Sequence, residues 1–596
     1  MNLKHDKLLK KALKFHSTGD IIRAQNLYSE ILILEPNNLI ALVNQGAIFI
    51  DLMFLNRAIR NLQIALSISP MDVDALNNYG NALEKLGKTE KAFDYLNQAL
   101  RLDKNNTTVV KNLIMIMLRQ SDYSLALEKL NQHIKLNPQN RIFKLLKALS
   151  LPIIPESNNI LYKARKRQKK AINDLSKIDA KLLDPLTDIG ITNFFSAYQN
   201  RNDKNHQVQL AKIFREFYPS LTYSAPHLGK NQISKKIRIG FISTFFGKHT
   251  ITKLNQVLIK GLNKNKFEVF MFCPGASEKN KKYIINEFKP HIEEIYFPIP
   301  TLNETKTLIK DKTLDILYYT DIGMEPLTYF LAFYKLATNQ CVTWGHPITS
   351  GISTVDYFIS SELSEPENAQ EHYSEKLVQF PCFSVDYRPA ITNIKDVKFS
   401  FQKEPNNNIY FCPQSLFKIH PDFDEIMAEI LREDKNGIII LISGQNPKWT
   451  DKLINRFNIN IPDVRSRIHF LPRLSQEEYF AVLSESDIIL DTIYFGGGNT
   501  SYEAFAMGKI VITLPGKFLR GRLTLGLYRK MSIIEPVADT KSQFVKLASY
   551  FGKNKKARQG LEEKIKNKNS ILFNSNDALT THEEFFLKIC AEYKKL

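Results

Sequence analysis

Apolar residues recur with a fixed period over the first 140 positions. Ala24, Ala58, Ala92 and Ala126 stand 34 residues apart, and four positions after each comes a larger apolar residue: Tyr28, Leu62, Leu96 and Leu130. Seven positions after each alanine stand Ile31, Ala65, Ala99 and His133. This i, i+4, i+7 spacing puts all three on one face of an α-helix. Pro36, Pro70 and Pro138 keep the same register, with Lys104 in the third unit, and Gly46 and Gly80 mark small positions in the preceding helix. The pattern predicts helical hairpins that approach closely at the small residues and cover their apolar faces by stacking on the next hairpin. Residues 73–106 are the best-formed unit, with Tyr79, Gly80, Leu83, Gly87, Ala92, Tyr95 and Ala99 all in place. Residues 141–230 read as further helices without that register, including a loop-like stretch from Pro219 to Asn231, and join the repeats to the second half of the chain.

From Lys236 the pattern changes. KIRIGFIS, FEVFMFCP, IEEIYFPI and LDILYYTDIG are short β-rich runs separated by a turn at Gly247 and by helical stretches, among them Leu254–Leu262 and Lys282–Phe288. A second series starts near Asn408: NIYFCPQS, GIIILISG, RIHFLP, DIILDT and KIVITLP. Such alternation predicts parallel sheets with right-handed crossovers, here two consecutive doubly wound, Rossmann-like units. Ligands of such sheets bind at the carboxyl ends of the strands, and the cleft between the two units is the expected site. Neither unit carries a GxGxxG or GxxxxGKS loop, which argues against dinucleotide enzymes and P-loop kinases. The expected division is repeats at 1–140, a helical connector at 141–230, α/β domains at 231–400 and 401–575, and a C-terminal helix at 576–596.

Composition adds limits. Hydrophobic residues make up 43% and charged residues 24% of the chain, an ordinary globular balance. No stretch approaches the roughly 18–20 uncharged apolar residues that span a bilayer, and the N-terminus has no apolar core of a secretory signal. The five cysteines form no CxxC or zinc spacing, so a cytoplasmic location is expected. The net charge of +20 comes from lysine spread along the whole chain. Only Lys163 to Lys170 (KARKRQKK) is a basic run, and with no interleaved aromatics it is expected to be a solvated helix face rather than a nucleic-acid patch.

Candidate chemistry concentrates in DTIYFGGGNTSYEAFAMGKIVITLPGKFLRGR, Asp491 to Arg522. A strand ends at Asp491, glycines 496–498 come next, and a helix opens at Asn499 to Ser501. Bare glycines admit backbone amides to a phosphate, and a helix N-terminus adds roughly half a positive charge. Thr500 and Ser501 add hydroxyl donors, and Glu503, one turn in, has the reach of ribose hydroxyls. The same residues also suit an ordinary glycine turn capped by Asn499. Asp487 and Asp491 straddle an apolar strand and do not form a metal-binding pair; Asp487 is expected to be a surface or cap residue.

The 34-residue unit resembles the tetratricopeptide repeat, which implies a concave surface for peptides or proteins; the alternative is a brace for the downstream domain. The segment 491–522, together with PQSLFKIHP (Pro413 to Pro421), resembles the C-terminal catalytic half of the protein O-linked N-acetylglucosamine transferase family. That family includes SPINDLY-type fucosyltransferases and bacterial cytoplasmic N-glycosyltransferases. GFISTFFGKHT (Gly240 to Thr250), QCVTWGHPITSGISTVDYFISS (Gln340 to Ser361) and HYSEKLVQFP (His372 to Pro381) resemble its N-terminal half. The resemblance implies an α-helical tetratricopeptide superhelix followed by a two-domain α/β architecture of the GT-B type. It implies a metal-independent glycosyltransferase that uses a nucleotide sugar, with UDP favoured over GDP, and takes protein acceptors through the repeat groove. Transfer to Ser/Thr is the expected reaction; transfer to Asn, or to a glycan or small acceptor with the repeats binding a partner protein, and a non-catalytic scaffold, are the alternatives.

By position, the resemblance places Lys418 on the donor pyrophosphate, with Gln414, Ser415, Gly497, Gly498, Asn499, Thr500, Ser501, Glu503 and Arg522 around the nucleotide sugar. Tyr479 stands where the animal enzyme stacks a histidine on the base, and Asn499 where that enzyme has histidine. His249 matches a histidine that orients the acceptor or takes its proton. His346 and Thr349 are candidates for the acceptor side of the cleft, with His346 equally suited to a structural role, and Arg520 and Lys517 are weaker matches. No metal ligands are implied.

Overall fold

The computed structural model describes residues 3–229, 235–387, 406–573 and 575–593. The expected domain junctions at 230/231 and 400/401 therefore lie outside the described residues. The chain divides into two compact units, Met1–Phe143 and Lys144–Leu596.

In the first unit the apolar period is a period of helix starts. Helices α1 (Leu3–Ser17), α2 (Ile21–Leu34), α3 (Leu39–Asp51), α4 (Leu55–Ile68), α5 (Val73–Lys85), α6 (Thr89–Leu102), α7 (Thr107–Arg119) and α8 (Tyr123–Leu136) form four hairpins. Ala24, Ala58, Ala92 and Ala126, and the larger residues Tyr28, Leu62, Leu96 and Leu130, are all fully buried. Glycine is required at the crossings: a Cβ on Gly46 would sit 2.8 Å from Leu62 Cγ, and one on Gly80 2.8 Å from Leu96 Cγ. A second periodic signal is the capping. Asn38, Asp72 and Asn106 accept hydrogen bonds from the amides of Ala41, Ala75 and Val109 at 3.0, 2.8 and 3.1 Å. Each such cap stabilises its helix start by about 1 kcal/mol.

The second unit holds two parallel sheets. The first comprises β1 (Ile237–Ile242), β2 (Phe267–Phe272), β3 (Glu294–Tyr296), β4 (Leu314–Tyr319), β5 (Ala337–Thr343), β6 (Tyr357–Ser361) and β7 (Lys376–Phe380), in the order β3-β2-β1-β4-β5-β6-β7. The second comprises β8 (Asn408–Cys412), β9 (Gly437–Ile442), β10 (Ile468–Leu471), β11 (Ile488–Leu490) and β12 (Val511–Ile512), in the order β10-β9-β8-β11-β12. The strand order reverses between β1 and β4 in one sheet and between β8 and β11 in the other, and crevices open at such points. β5, β6 and β7 extend the first sheet beyond the four runs that the apolar pattern marks. β5 reads ATNQCVT, and its buried Asn339, Gln340 and Thr343 hide a strand from a hydrophobicity count.

Residues after Lys144 are built into this second unit. The helix Lys204–Phe217 packs Phe214 against Tyr329, Phe330 and Phe333. Gly351, at φ +74°, admits its backbone so closely that a Cβ would lie 2.3 Å from the Gln207 carbonyl carbon. The basic run is only half a solvated face. On the helix Asn158–Leu175, Lys163, Lys166, Lys169 and Lys170 are exposed, but Arg165 pairs with the buried Asp203 and Arg167 donates to the carbonyls of Lys147 and Ser150. Asp487 is likewise not a surface residue: it is buried, accepts the Ile409 amide at 2.8 Å and pairs with Arg558 at 2.8 Å, which holds β8 beside β11. No helix among the described residues is long and apolar enough to cross a membrane.

The C-terminal helix Asp577–Tyr593 returns to the first sheet. Phe586, Ile589 and Cys590 share one core with Ile239, Phe241 and Tyr318, and Tyr318 and His582 lie within hydrogen-bond distance at 3.2 Å. Phe586 is fully buried, so Phe586→Ala should cost about 3–5 kcal/mol. Urea unfolding should show the loss; an unchanged transition would mark this helix as an appendage.

Candidate active site

Lys418 is the centre of the second sheet's crevice. It ends a short 3-10 turn (Leu416–Lys418) just after β8, directly across from the loop after β11. Its Nζ donates to Gln414 Oε1 at 2.8 Å and to the Gly496 carbonyl at 3.0 Å, and stands 4.7 Å from the centre of the Phe495 ring. Gln414 in turn donates to Thr500 Oγ1 at 2.7 Å. Sequence-distant candidates Gln414, Lys418 and Thr500 thus form one cluster. Ser415 is exposed at the start of the turn. Burial pushes the Lys418 ammonium down to about 8, with nearby Asp491 and Cys412 opposing the shift.

The glycines act differently from a bare phosphate cradle. The Gly496 amide donates to the Arg520 carbonyl at 2.8 Å, and the Gly497 amide donates to Asp491 Oδ1 at 2.6 Å. At Gly497 a Cβ would meet Ser501 Oγ at 2.4 Å and Thr500 Oγ1 at 2.6 Å, so the glycine makes room for the hydroxyls of its own helix. That helix, Asn499–Ala506, is capped by Gly498 and not by Asn499, whose Nδ2 instead donates to Glu503 Oε1 at 3.1 Å. The amides left for an anion are those at the open helix start, Gly498 to Thr500. Ser501 Oγ meets Thr524 Oγ1 at 2.8 Å. Tyr494, at φ 72°, turns the chain into this loop in a left-handed conformation that is costly for a tyrosine.

Glu503 is buried and accepts the Tyr387 hydroxyl at 2.8 Å; burial raises its carboxyl above the usual range. Tyr479 is partly buried, 6.1 Å from Phe411, and its hydroxyl faces Glu503. Arg522 donates to the carbonyls of Ser364 and Gly516 at 2.8 and 3.1 Å, so it joins the two sheets' loops to each other.

On the first sheet, His249 caps the helix Thr250–Gly261: its Nδ1 accepts the Ile251 amide at 3.2 Å, and the ring stacks on Phe245 at 4.9 Å. An accepting Nδ1 puts the neutral ring's proton on Nε2. Burial keeps the ring below its usual pKa. His346 is buried against Phe194 at 4.8 Å and is pushed down to about 3 by burial and then by Arg520, which makes it a neutral packing residue. Thr349 donates to Glu375 Oε2 at 2.6 Å and is fixed in the first sheet's own network.

Two groups were not singled out by sequence. Asp321, after β4, accepts the Ser243 hydroxyl at 2.7 Å, and burial raises it to about 7; its only signal was a polar residue at the end of an apolar strand. The other is FFSAY, Phe194 to Tyr198. Tyr198 stacks on Phe495 at 4.4 Å, and Phe194 touches both His346 and Phe417. This connector segment has no helical period, and only its density of aromatics marked it. Among the described residues no three His, Cys, Asp or Glu side chains are placed to hold a metal ion.

The profile of glycosyl transferase family 41 matches residues 204–393 and 392–581, and that of the tetratricopeptide repeat matches residues 73–106. The chain is 26% identical over 338 residues to the Arabidopsis thaliana protein named probable UDP-N-acetylglucosamine–peptide N-acetylglucosaminyltransferase SPINDLY, a match over 53% of this chain and 35% of that one. It is 20% identical over 347 residues to the UDP-glucose:protein N-β-glucosyltransferase of Actinobacillus pleuropneumoniae serotype 5b, over 58% of this chain and 55% of that one. The chain therefore spans about a third to about half the length of these relatives. A point mutant of the Thermobaculum terrenum O-GlcNAc transferase, solved as a structure, has the same fold, with a TM-score of 0.56 at 18% identity, over 99% of this chain and 98% of that one.

Lys418 is charged below a pH of about 8 and loses its proton above it. A bound anion raises that pKa further, so affinity for a nucleoside diphosphate should be level below neutrality and fall above pH 8, by at most about tenfold per pH unit. Calorimetric titration from about pH 6.5 to about 9.5 reads this, and Lys418→Met should flatten the curve.

Proposed function

Because the chain belongs to glycosyl transferase family 41, we propose that it moves a sugar from a nucleotide-sugar donor to the Ser or Thr side chains of protein acceptors. The observation that carries the proposal is the Gln414–Lys418–Thr500 cluster beside an open helix start. An ammonium and free amides at one crevice suit a diphosphate, and the charge that grows on a departing diphosphate is stabilised by a cation already in place. The transfer breaks the bond from the anomeric carbon to the diphosphate oxygen and forms one to the acceptor oxygen; the nucleoside diphosphate leaves with the electron pair, and the acceptor hydroxyl gives up its proton to solvent. Lys418 would then do the work that other transferases assign to a metal. A UDP-sugar is the preferred donor, in keeping with the UDP-dependent names of the plant and Actinobacillus relatives. The second of those names also favours asparagine as an alternative acceptor. The repeats would present the acceptor.

Three outcomes test this reading. Lys418→Ala should lower donor turnover about a hundredfold or more, the scale of losing one preorganised electrostatic stabiliser, while UDP affinity falls less. Near-wild-type turnover at saturating donor would remove Lys418 from the mechanism. Transfer should persist in excess EDTA; a loss restored specifically by magnesium or manganese would contradict the lysine's role. Deleting residues 1–140 should leave nucleotide binding intact and reduce transfer to whole proteins far more than transfer to short peptides, because an extended groove acts through many weak contacts. A fragment that aggregates and loses nucleotide binding would instead make the repeats a brace.

A further inference from the structure

Arg520 stands where three parts of the second unit meet, beside a small cavity that Asp203, Thr349, His372 and Phe518 also line. It is 3% exposed, with its guanidinium 4.3 Å from the centre of the Phe518 ring. Nη2 donates to the Arg201 carbonyl at 2.7 Å and faces Asp203 at 3.8 Å. Asp203, also 3% exposed, pairs on its other side with Arg165 from the basic run. Two guanidinium groups therefore share one buried carboxylate. The backbone of Arg520 looks the other way: its carbonyl accepts the Gly496 amide at 2.8 Å, and the Gly496 carbonyl accepts the Lys418 ammonium at 3.0 Å. Arg201 and Asp203 precede residue 204, where the family match begins.

We propose that Arg520 is a positioning residue: gripped by the connector through Asp203 and the Arg201 carbonyl, it sets the backbone of the glycine loop and, through Gly496, the ammonium of Lys418. The side chain anchors, and the main chain delivers the anchor's position to the site. This role accounts for Arg165, which a solvated basic face does not explain. It also explains why the loop tolerates Tyr494 in a left-handed conformation, since the structure on both sides over-determines it. The planar guanidinium matters as much as its charge, because stacking on Phe518 and donating to a carbonyl at once needs a fork and not a point charge.

The inference rests on the nucleotide-sugar reading only where turnover is measured, so one of its two tests needs no substrate. Arg520→Gln leaves Arg165 and Asp203 as a neutral buried pair, so the fold should tolerate it. Hydrogen exchange of the Gly496 and Gly497 amides, which donate to the Arg520 carbonyl and to Asp491, should speed up about tenfold or more in Arg520→Gln while global unfolding changes little. Arg520→Lys, which keeps the charge without the fork, should behave the same way. Arg558→Met, which breaks the Asp487 pair at the other end of the strands, should leave these amides unchanged. The second test is a double-mutant cycle on UDP-sugar hydrolysis. Arg520→Gln should cost about tenfold in wild type and less than about twofold when Lys418 is already alanine. Wild-type exchange in either Arg520 variant, or equal losses in both Lys418 backgrounds, would overturn the inference. Faster loop exchange in the Arg520 variants of a chain that shows no donor turnover would refute the proposed function and leave the positioning role standing on the exchange data.

Discussion

A lysine ammonium held by neutral carbonyl oxygens is the constraint on which the second half of the molecule depends. Among the described residues no carboxylate pairs with Lys418; Gln414 and the Gly496 carbonyl hold it, and the Phe495 ring lies alongside. Dipoles stabilise the charge without cancelling it, whereas a salt bridge would neutralise much of it. Many nearby details depend on this. Gly496 must present its carbonyl, so its amide is tied to Arg520 and the next amide to Asp491. Asp491 in turn accepts Thr513 Oγ1 at 2.9 Å, which fixes it to the end of β12.

Regular elements were legible in the sequence because their period is a direct image of geometry. Ala24, Ala58, Ala92 and Ala126 mark helix crossings, and runs such as KIRIGFIS and GIIILISG are buried strands. β5 was not legible, because its buried polar residues are satisfied by partners that only the fold provides: Gln340, for example, bonds the Leu336 amide and the Thr354 carbonyl. The candidate site divides the same way. Gln414, Lys418 and Thr500 were named from the family resemblance and lie together, though the donor sugar's own contacts are a matter of the proposal. His249 and His346 were also named, but what they do depends on which nitrogen is occupied and how deeply the ring is buried. Neither property is written in a single sequence.

The connector changes how the cleft is understood. Two doubly wound sheets would suggest a site made by two walls. Here a third element, Phe194 to Asp203, packs aromatic rings on His346 from one wall and on Phe417 and Phe495 from the other. Both sheets are referenced to it, and Arg522 adds a direct bond between their loops. Relative movement of the sheets would therefore have to slide stacked rings past one another, a discrete rearrangement rather than a smooth bend.

The return of the last helix to the first sheet bears on how the polypeptide is made. Tyr318 and its partner His582 are 264 residues apart in sequence. At roughly 5–20 residues per second on the ribosome, the sheet face around Tyr318 waits roughly 13–53 s for the residues that cover it. During that interval the core around Tyr318 lacks Phe586, Ile589 and Cys590, and the helices at 250–261 and 278–288 cover it only in part. The core of the first sheet can therefore close only after residues more than two hundred positions downstream of its last strand have been made.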